Sequence, residues 1–181
     1  MTMTRSTWTL AFLFCSLLTP QTRAAERNGR DPHIRSNDAE LLNALASGGR
    51  VSPTLQRLVD RIETSDVVVY LTFDRVPSPK AAGHVSCVTA AAGRRYLRIS
   101  IDRRNAGCQL AAILGHELQH VVEIADEPAV TTEAGLAALY RRIGFRSVGE
   151  QTDCFDSLEA ITAGRLVQRE VLMRYAEFTS R

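Results

Sequence analysis

Two histidines and one glutamate lie close together in the segment "AAILGHELQHVVEIADEP", residues 111–128. These residues are His116, Glu117 and His120, and they form the pattern H-E-x-x-H. On a helix, side chains four residues apart share one face and lie about 6 Å apart along the axis, so both imidazoles can bind one metal ion. A glutamate beside them can take a proton from a metal-bound water. The spacing therefore predicts a hydrolytic metal centre with Glu117 as its general base.

The same residues also fit the polar face of an ordinary amphipathic helix. Apolar side chains lie opposite the histidines, so the helix can bury one side and expose the other. The residues on this apolar face are Leu114, Leu118, Val121, Val122 and Ala125. A metal centre and a merely polar face both agree with the pattern, and the metal content of the protein would separate them.

The segment "ILGHELQHVV", residues 113–122, resembles the motif helix of the zincin metallopeptidases, in which apolar or uncharged residues surround H-E-x-x-H. The chain is most similar to the small exported bacterial members of that superfamily. The resemblance implies that His116 and His120 bind Zn2+ and that Glu117 is the general base in hydrolysis of a peptide or protein substrate. In such enzymes an edge strand beside the cleft often holds extended substrate, and "RYLRISID", residues 95–102, is the candidate strand.

The third ligand must come from elsewhere, because the chain lacks the third histidine of metzincins and the Asn-Glu-x-x-Ser-Asp helix of thermolysin-like enzymes. Asp156 is the predicted ligand. It lies one turn before Ala160 on a stripe of small and apolar residues in the last predicted helix, and a carboxylate on a buried face needs a partner. Alternatively, "DSLE" is a capping box in which Asp156 caps the helix and Glu159 reaches back. Glu159 and Glu150 are the next candidate ligands.

Four further residues could contribute to such a centre. Glu123 shares the histidine face, and helical side chains lean toward the N-terminus, so Glu123 is predicted to accept the second ring N–H of His120 rather than to bind the metal. An ordinary surface glutamate is the alternative. Glu133 lies too near a turn between helices to reach the metal. His84 could line the cleft and Tyr140 could donate to an oxyanion, but a surface histidine and a packing tyrosine are the simpler interpretations.

The elements that must position these residues follow the order helices, small sheet, helices. This order predicts an α+β domain in which a small mixed or antiparallel sheet packs against helices, with the zincin-like motif helix directly after the sheet. A β-branched run predicts a buried strand at 66–74, and "HVSCVTA" followed by "RYLRISID" predicts a hairpin. Helices are predicted at 38–46, 52–63, 109–125, 132–143 and 156–178.

The N-terminal region has the features of an export signal. Arg5 precedes an apolar run at 8–18, and small residues suit cleavage after about Ala24. An uncleaved anchor is the alternative, although the run is too short to span a bilayer as a helix. We therefore expect a signal peptide at 1–24, a flexible lead-in at 25–37 and one domain at 38–181, exported to the periplasm or secreted.

The composition argues against two classes of partner. Loss of residues 1–24 would remove Arg5 and Arg23 from the 22 basic residues, which leaves 20 against 20 acidic residues. A neutral chain is poorly suited to bind nucleic acid or an anionic membrane, so we expect neither nucleic-acid binding nor stable membrane insertion after removal of the signal.

Three cysteines, Cys87, Cys108 and Cys154, would remain in the mature chain. Two of them could pair in an oxidising compartment, and their spacing fits no zinc knuckle. The sequence as a whole predicts an exported zinc-dependent hydrolase, in the first instance a metallopeptidase. The alternatives are a non-catalytic zincin-like domain that holds a protein or peptide partner, and a small structural domain with incidental histidines.

Overall fold

The computed structural model describes residues 31–74, 81–146 and 155–179. Its elements all lie within one compact unit, Pro32–Arg181. In chain order they are β1 (Ile34–Ser36), α1 (Ala39–Val51), α2 (Pro53–Glu63), β2 (Val67–Phe73), β3 (Gly83–Ala91), β4 (Arg94–Ile101), α3 (Gly107–Ala125), α4 (Glu133–Ile143), β5 (Phe145–Arg146), β6 (Phe155–Asp156) and α5 (Leu158–Thr179). The prediction of an α+β domain with a small sheet is confirmed.

The main sheet is mixed, with the strand order β1-β2-β4-β3. β2 runs parallel to β1 and to β4, whereas β3 is antiparallel to β4. Ala92 and Gly93 join β3 to β4 with positive φ angles of 51° and 72°, as a two-residue hairpin turn requires. The predicted hairpin is confirmed, and a β-bulge interrupts its pairing between Cys87 and Thr89.

The prediction that residues 95–102 form an edge strand is wrong. β4 lies between β2 and β3, so both of its backbone edges are paired and β3 is the edge strand. The alternation of Leu97, Ile99 and Ile101 correctly indicates a buried face, since all three side chains are buried. This alternation shows which face of the strand is buried, but it does not show whether one or two neighbouring strands pair with its backbone.

The predicted flexible lead-in is wrong for its last residues, because Ile34–Ser36 form β1. The backbone N–H of Val69 donates to the carbonyl of His33 at 2.7 Å, and the backbone N–H of His33 donates to the Glu63 carboxylate at 3.0 Å. His33 and Ile34 are both buried. The local composition is polar and does not reveal this strand, since partners far along the chain hold it in place.

The predicted helices are confirmed, although α1 extends beyond its predicted end to Val51 and α5 begins at Leu158, so Asp156 lies in β6 and not in the helix to which it was assigned. Ser52 caps α2 by accepting the backbone N–H of Leu55, and Pro53 occupies the first helical position, as expected. No described helix is both long and apolar enough to cross a membrane.

A buried arginine fixes the C-terminal end of α3 to the sheet. Arg95 of β4 is 3% exposed and binds both carboxylate oxygens of Asp66, at 2.8 and 2.7 Å. Its guanidinium also donates to the carbonyl oxygens of Ile124 and Ala125, at 2.7 and 3.2 Å. Both carbonyls lie in the last turn of α3, where that of Ile124 also accepts the backbone N–H of Glu127 at 3.1 Å, and a cation is favourable at a helix C-terminus. The position of α3 relative to the sheet is therefore well defined at this end.

The small residues of α5 allow it to pack closely against α3. The buried residues of the predicted stripe are Ala160, Ala163, Val167 and Val171. A Cβ atom at Gly115 would lie 2.6 Å from Cγ2 of Val167, and one at Gly164 would lie 3.2 Å from Cβ of His116. α3 and α5 thus approach each other closely at Gly115 and Gly164. A larger residue at either position would displace neighbouring atoms of the other helix.

This packing predicts an unusual response to alanine at position 115. In an ordinary helix interior, Gly→Ala stabilises by about 1 kcal/mol, whereas overpacking costs about 1–3 kcal/mol. We expect Gly115→Ala to lower the free energy of unfolding in urea by about 1 kcal/mol relative to wild type. In a Val167→Ala background the clash is removed, so Gly115→Ala should raise the free energy of unfolding relative to the Val167→Ala single variant. A Gly115→Ala variant more stable than wild type would contradict the close approach of α3 and α5.

Candidate metal centre

Three potential ligands converge where α3 meets the start of α5. His116 and His120 lie on α3, and Asp156 ends the short strand β6 just before α5. Oδ1 of Asp156 is 3.4 Å from Nε2 of His116 and 3.6 Å from Nε2 of His120. The ligand atoms all lie within 4.8 Å of one another, so among the described residues these three form a group that could hold a metal ion.

The spacing of these atoms fits metal ligation better than direct hydrogen bonding. Distances of 3.4 and 3.6 Å exceed the usual range for an N–H···O hydrogen bond. Two atoms bound at about 2.0–2.1 Å to a tetrahedral ion lie roughly 3.3 Å apart. The two nitrogen–oxygen separations are already close to this value, whereas the largest separation among the ligand atoms, up to 4.8 Å, would have to shorten around one ion.

Glu123 holds one of the histidines in a defined orientation. Its Oε2 lies 2.9 Å from Nδ1 of His120, and because an ionised carboxylate can only accept, Nδ1 is the donor. The other ring nitrogen, Nε2, then presents its lone pair on the side of Asp156. Burial would raise the pKa of Glu123, but hydrogen bonds from His120 and Ser157 outweigh it and lower the pKa.

The two histidines have different electrostatic surroundings. Burial and then the neighbouring His120 lower the pKa of His116, which favours the neutral imidazole that metal binding requires. Burial acts in the same direction on His120, but the hydrogen bond to Glu123 and the charge of Glu117 outweigh it and raise the pKa. A metal ion bound at Nε2 of His120 would replace the proton that this nitrogen carries when the imidazole is charged.

Glu117 is a buried carboxylate, only 4% exposed. Its Oε1 occupies the space beside Gly83 of β3, where a Cβ atom would lie 2.5 Å away. Within the described residues no hydrogen-bond donor is recorded for this carboxylate. Burial raises the pKa of Glu117 to about 7. A buried carboxylate without a donor is costly, and a pKa near neutrality suits a group that accepts and releases a proton.

Asp156 is not the cap of α5, and the capping-box interpretation is wrong in this respect. Ser157 is the capping residue, since its Oγ accepts the backbone N–H of Ala160 at 3.0 Å. Asp156 instead accepts the backbone N–H of Ser157 at 2.7 Å through Oδ1. Ser157 is not among the predicted site residues, although serine is a common N-cap and Ser157 directly precedes the first helical residue, Leu158.

The remaining candidates lie elsewhere. Glu159 and Glu133 are exposed on their helices, and Glu150 lies outside the described residues. His84 follows Gly83 in β3, so strand alternation directs its side chain to the face opposite Glu117. Cys108 is a free cysteine, whereas Cys154 and the side chain of Cys87 lie outside what the structure describes.

Tyr140 packs against the centre rather than opening into it. Its ring meets the His120 imidazole edge to face at 5.1 Å between centroids. Its hydroxyl donates to the backbone carbonyl of His120 at 3.4 Å, and burial raises its pKa. The proposed role as an oxyanion donor therefore has no support in this geometry, and Tyr140 instead contributes to the environment of His120.

The geometry has to be interpreted from the chain itself. Comparisons with protein-family models, with curated proteins and with solved structures found no match for this chain. The convergence of His116, His120 and Asp156 beside the buried Glu117 is therefore the basis for any functional conclusion.

Proposed function

We propose that the protein is an exported zinc-dependent hydrolase, in the first instance a metallopeptidase with a zincin-like fold. The observation that carries this proposal is the convergence of His116, His120 and Asp156 beside the buried carboxylate of Glu117. Neither a polar helix face nor a helix cap requires the Asp156 carboxylate to lie between two imidazoles. A single hydrolytic centre accounts for all four side chains.

The donor set favours zinc over calcium and magnesium. Two imidazole nitrogens and one carboxylate oxygen are a ligand combination of catalytic zinc sites, in which three protein ligands leave one position open. Calcium and magnesium prefer sites built from oxygen atoms. Zinc held by His116, His120 and Asp156 would polarise a substrate carbonyl and lower the pKa of a coordinated water.

Glu117 would act as the general base of the reaction. It would take a proton from the attacking water and deliver it to the departing amine. Contact with Gly83 excludes solvent from one side of the carboxylate and keeps it in place. In the metal-free protein burial raises the pKa of Glu117 to about 7, and a bound cation would lower this pKa and favour the ionised base.

The edge strand supports an extended peptide as the substrate. β3 begins at Gly83, in contact with Glu117, and within the described residues no strand pairs with its outer edge. An extended peptide can add to such an edge through backbone hydrogen bonds. We therefore assign the role of peptide-binding strand to β3 instead of β4.

The first test of this function is metal content. We expect the mature chain to bind about one zinc per molecule, because three ligands converge at one point. Elemental analysis of purified protein should show this metal lost in the His116→Ala, His120→Ala double variant. His84→Ala is the matched control and should keep its zinc. Equal zinc in wild type and the double variant would rule out the site.

A second test separates Asp156 as a ligand from Asp156 as a structural residue. Asp156→Asn retains an oxygen that can accept the Ser157 N–H, and Ser157 still caps α5, so the variant should unfold at the same urea concentration as wild type. Its zinc affinity, measured by competition with a chelator, should fall by more than about 100-fold, since a neutral amide is a poorer zinc ligand. Glu159→Gln should bind zinc as wild type does. Unchanged affinity in Asp156→Asn would remove Asp156 from the ligand set.

A third test concerns catalysis. Glu117→Gln should retain zinc but cleave unstructured peptides about 100- to 10,000-fold more slowly, because the general base is lost. Glu159→Gln, which alters an exposed glutamate, should cleave them at the wild-type rate. Zinc-loaded wild-type protein that binds peptides without cleaving them would instead support the non-catalytic binding domain.

A further inference from the structure

Ser157 lies at the meeting point of three groups that concern the metal centre. It is fully buried between β6 and α5. Its Oγ donates to Oε1 of Glu123 at 2.6 Å and accepts the backbone N–H of Ala160 at 3.0 Å. Its own backbone N–H donates to Oδ1 of Asp156 at 2.7 Å. One residue therefore contacts the start of α5, the candidate ligand Asp156 and the carboxylate that orients His120.

The bonds from Ser157 and His120 orient the Glu123 carboxylate, and the Tyr140 hydroxyl is a further donor beside it. The Glu123 side chain is 9% exposed, and its two oxygens accept from different donors, Oε1 from Ser157 and Oε2 from His120. Without the Ser157 hydroxyl, Oε1 would lose a donor in a buried position, which is unfavourable. The carboxylate would then turn toward other donors, and His120 would lose the acceptor that fixes its tautomer.

We propose that Ser157 is a positioning residue of the metal centre, acting through Glu123 to hold the His120 imidazole with Nε2 directed at Asp156. The predicted effect on zinc affinity rests on the proposed zinc site. The two hydrogen bonds that Ser157 and His120 donate to Glu123, which we call the relay, exist without metal. The segment Asp156–Ser157 thus has two tasks at once. Asp156 supplies a ligand directly, and Ser157 controls a ligand on another helix.

A simple capping role for Ser157 makes a different prediction, and substitutions can separate the two. Ser157→Thr keeps both the acceptor and the hydroxyl donor. Ser157→Gly keeps most of the capping ability, since glycine is well tolerated at the N-cap, but it removes the hydroxyl donor without adding a charge beside Glu123. Ser157→Ala removes both the donor and the cap. If Ser157 only capped α5, Ser157→Gly would bind zinc like wild type.

The experiment is chelator competition for Zn2+ with the full mature chain and each variant. We expect Ser157→Thr to bind zinc within a few-fold of wild type, and Ser157→Gly and Ser157→Ala to bind about 10- to 100-fold more weakly, the usual effect of losing an outer hydrogen bond to a ligating histidine. In a Glu123→Ala background, Ser157→Ala should cause no further loss. The proposal would be overturned if Ser157→Gly bound zinc as tightly as wild type, or if Ser157→Ala weakened zinc binding as much in the Glu123→Ala background as in the wild-type protein.

A second measurement distinguishes failure of the relay from failure of the zinc site. In metal-free protein, at a pH high enough for His120 to be neutral, the ¹⁵N chemical shifts of His120 should show a proton on Nδ1 in wild type and Ser157→Thr, and a mixture of tautomers in Ser157→Ala. If wild type binds no zinc but shows this change, the relay stands and the proposed metal function fails. If wild type binds zinc but the tautomer is the same in all variants, the relay fails and the zinc site stands.

Discussion

The close approach of α3 and α5 is the constraint on which the candidate centre depends. Its candidate ligands come from two distant parts of the chain. His116 and His120 lie on α3, whereas Asp156 lies in β6, just before α5. Metal ligation tolerates errors of only about 0.2 Å in ligand distance. Gly115 and Gly164 allow the helices to lie side by side, and an added methyl group at either position would force a displacement comparable to or larger than this tolerance.

Polar contacts also fix the position of α5 along its own axis relative to α2 and α3. At its start, Ser157 binds Glu123 of α3. Near its middle, Glu170 accepts the hydroxyl of Thr54 at 2.8 Å and the hydroxyl of Ser52, at the N-terminus of α2. Burial would raise the pKa of Glu170, but these hydrogen bonds outweigh it and lower the pKa. α5 therefore cannot slide along α3 without breaking buried or partly buried hydrogen bonds at two separate points.

The parts of the site that could be predicted from sequence are those set by helical periodicity. The spacing of His116 and His120 and the lean of Glu123 toward His120 follow from residues close together along the chain. Asp156 lies in β6, before α5 begins, so the helical register with Ala160 by which it was selected is not present in the structure. The strand at 34–36, the interior position of β4 and the link from Ser157 to Glu123 depend on partners far along the chain. No local pattern specifies such partners, so a single sequence did not reveal them.

The β-bulge between Cys87 and Thr89 limits what the outer edge of the sheet can receive. An unpaired strand edge is also open to a second copy of the same protein, and long, regular edges are prone to such association. The bulge shortens the regular part of β3 to the stretch beginning at Gly83, where the sheet meets Glu117. At the opposite edge, β1 is only three residues long. Among the described residues, both edges of the main sheet thus offer only short regular stretches for pairing with another chain, and one of these stretches lies beside Glu117.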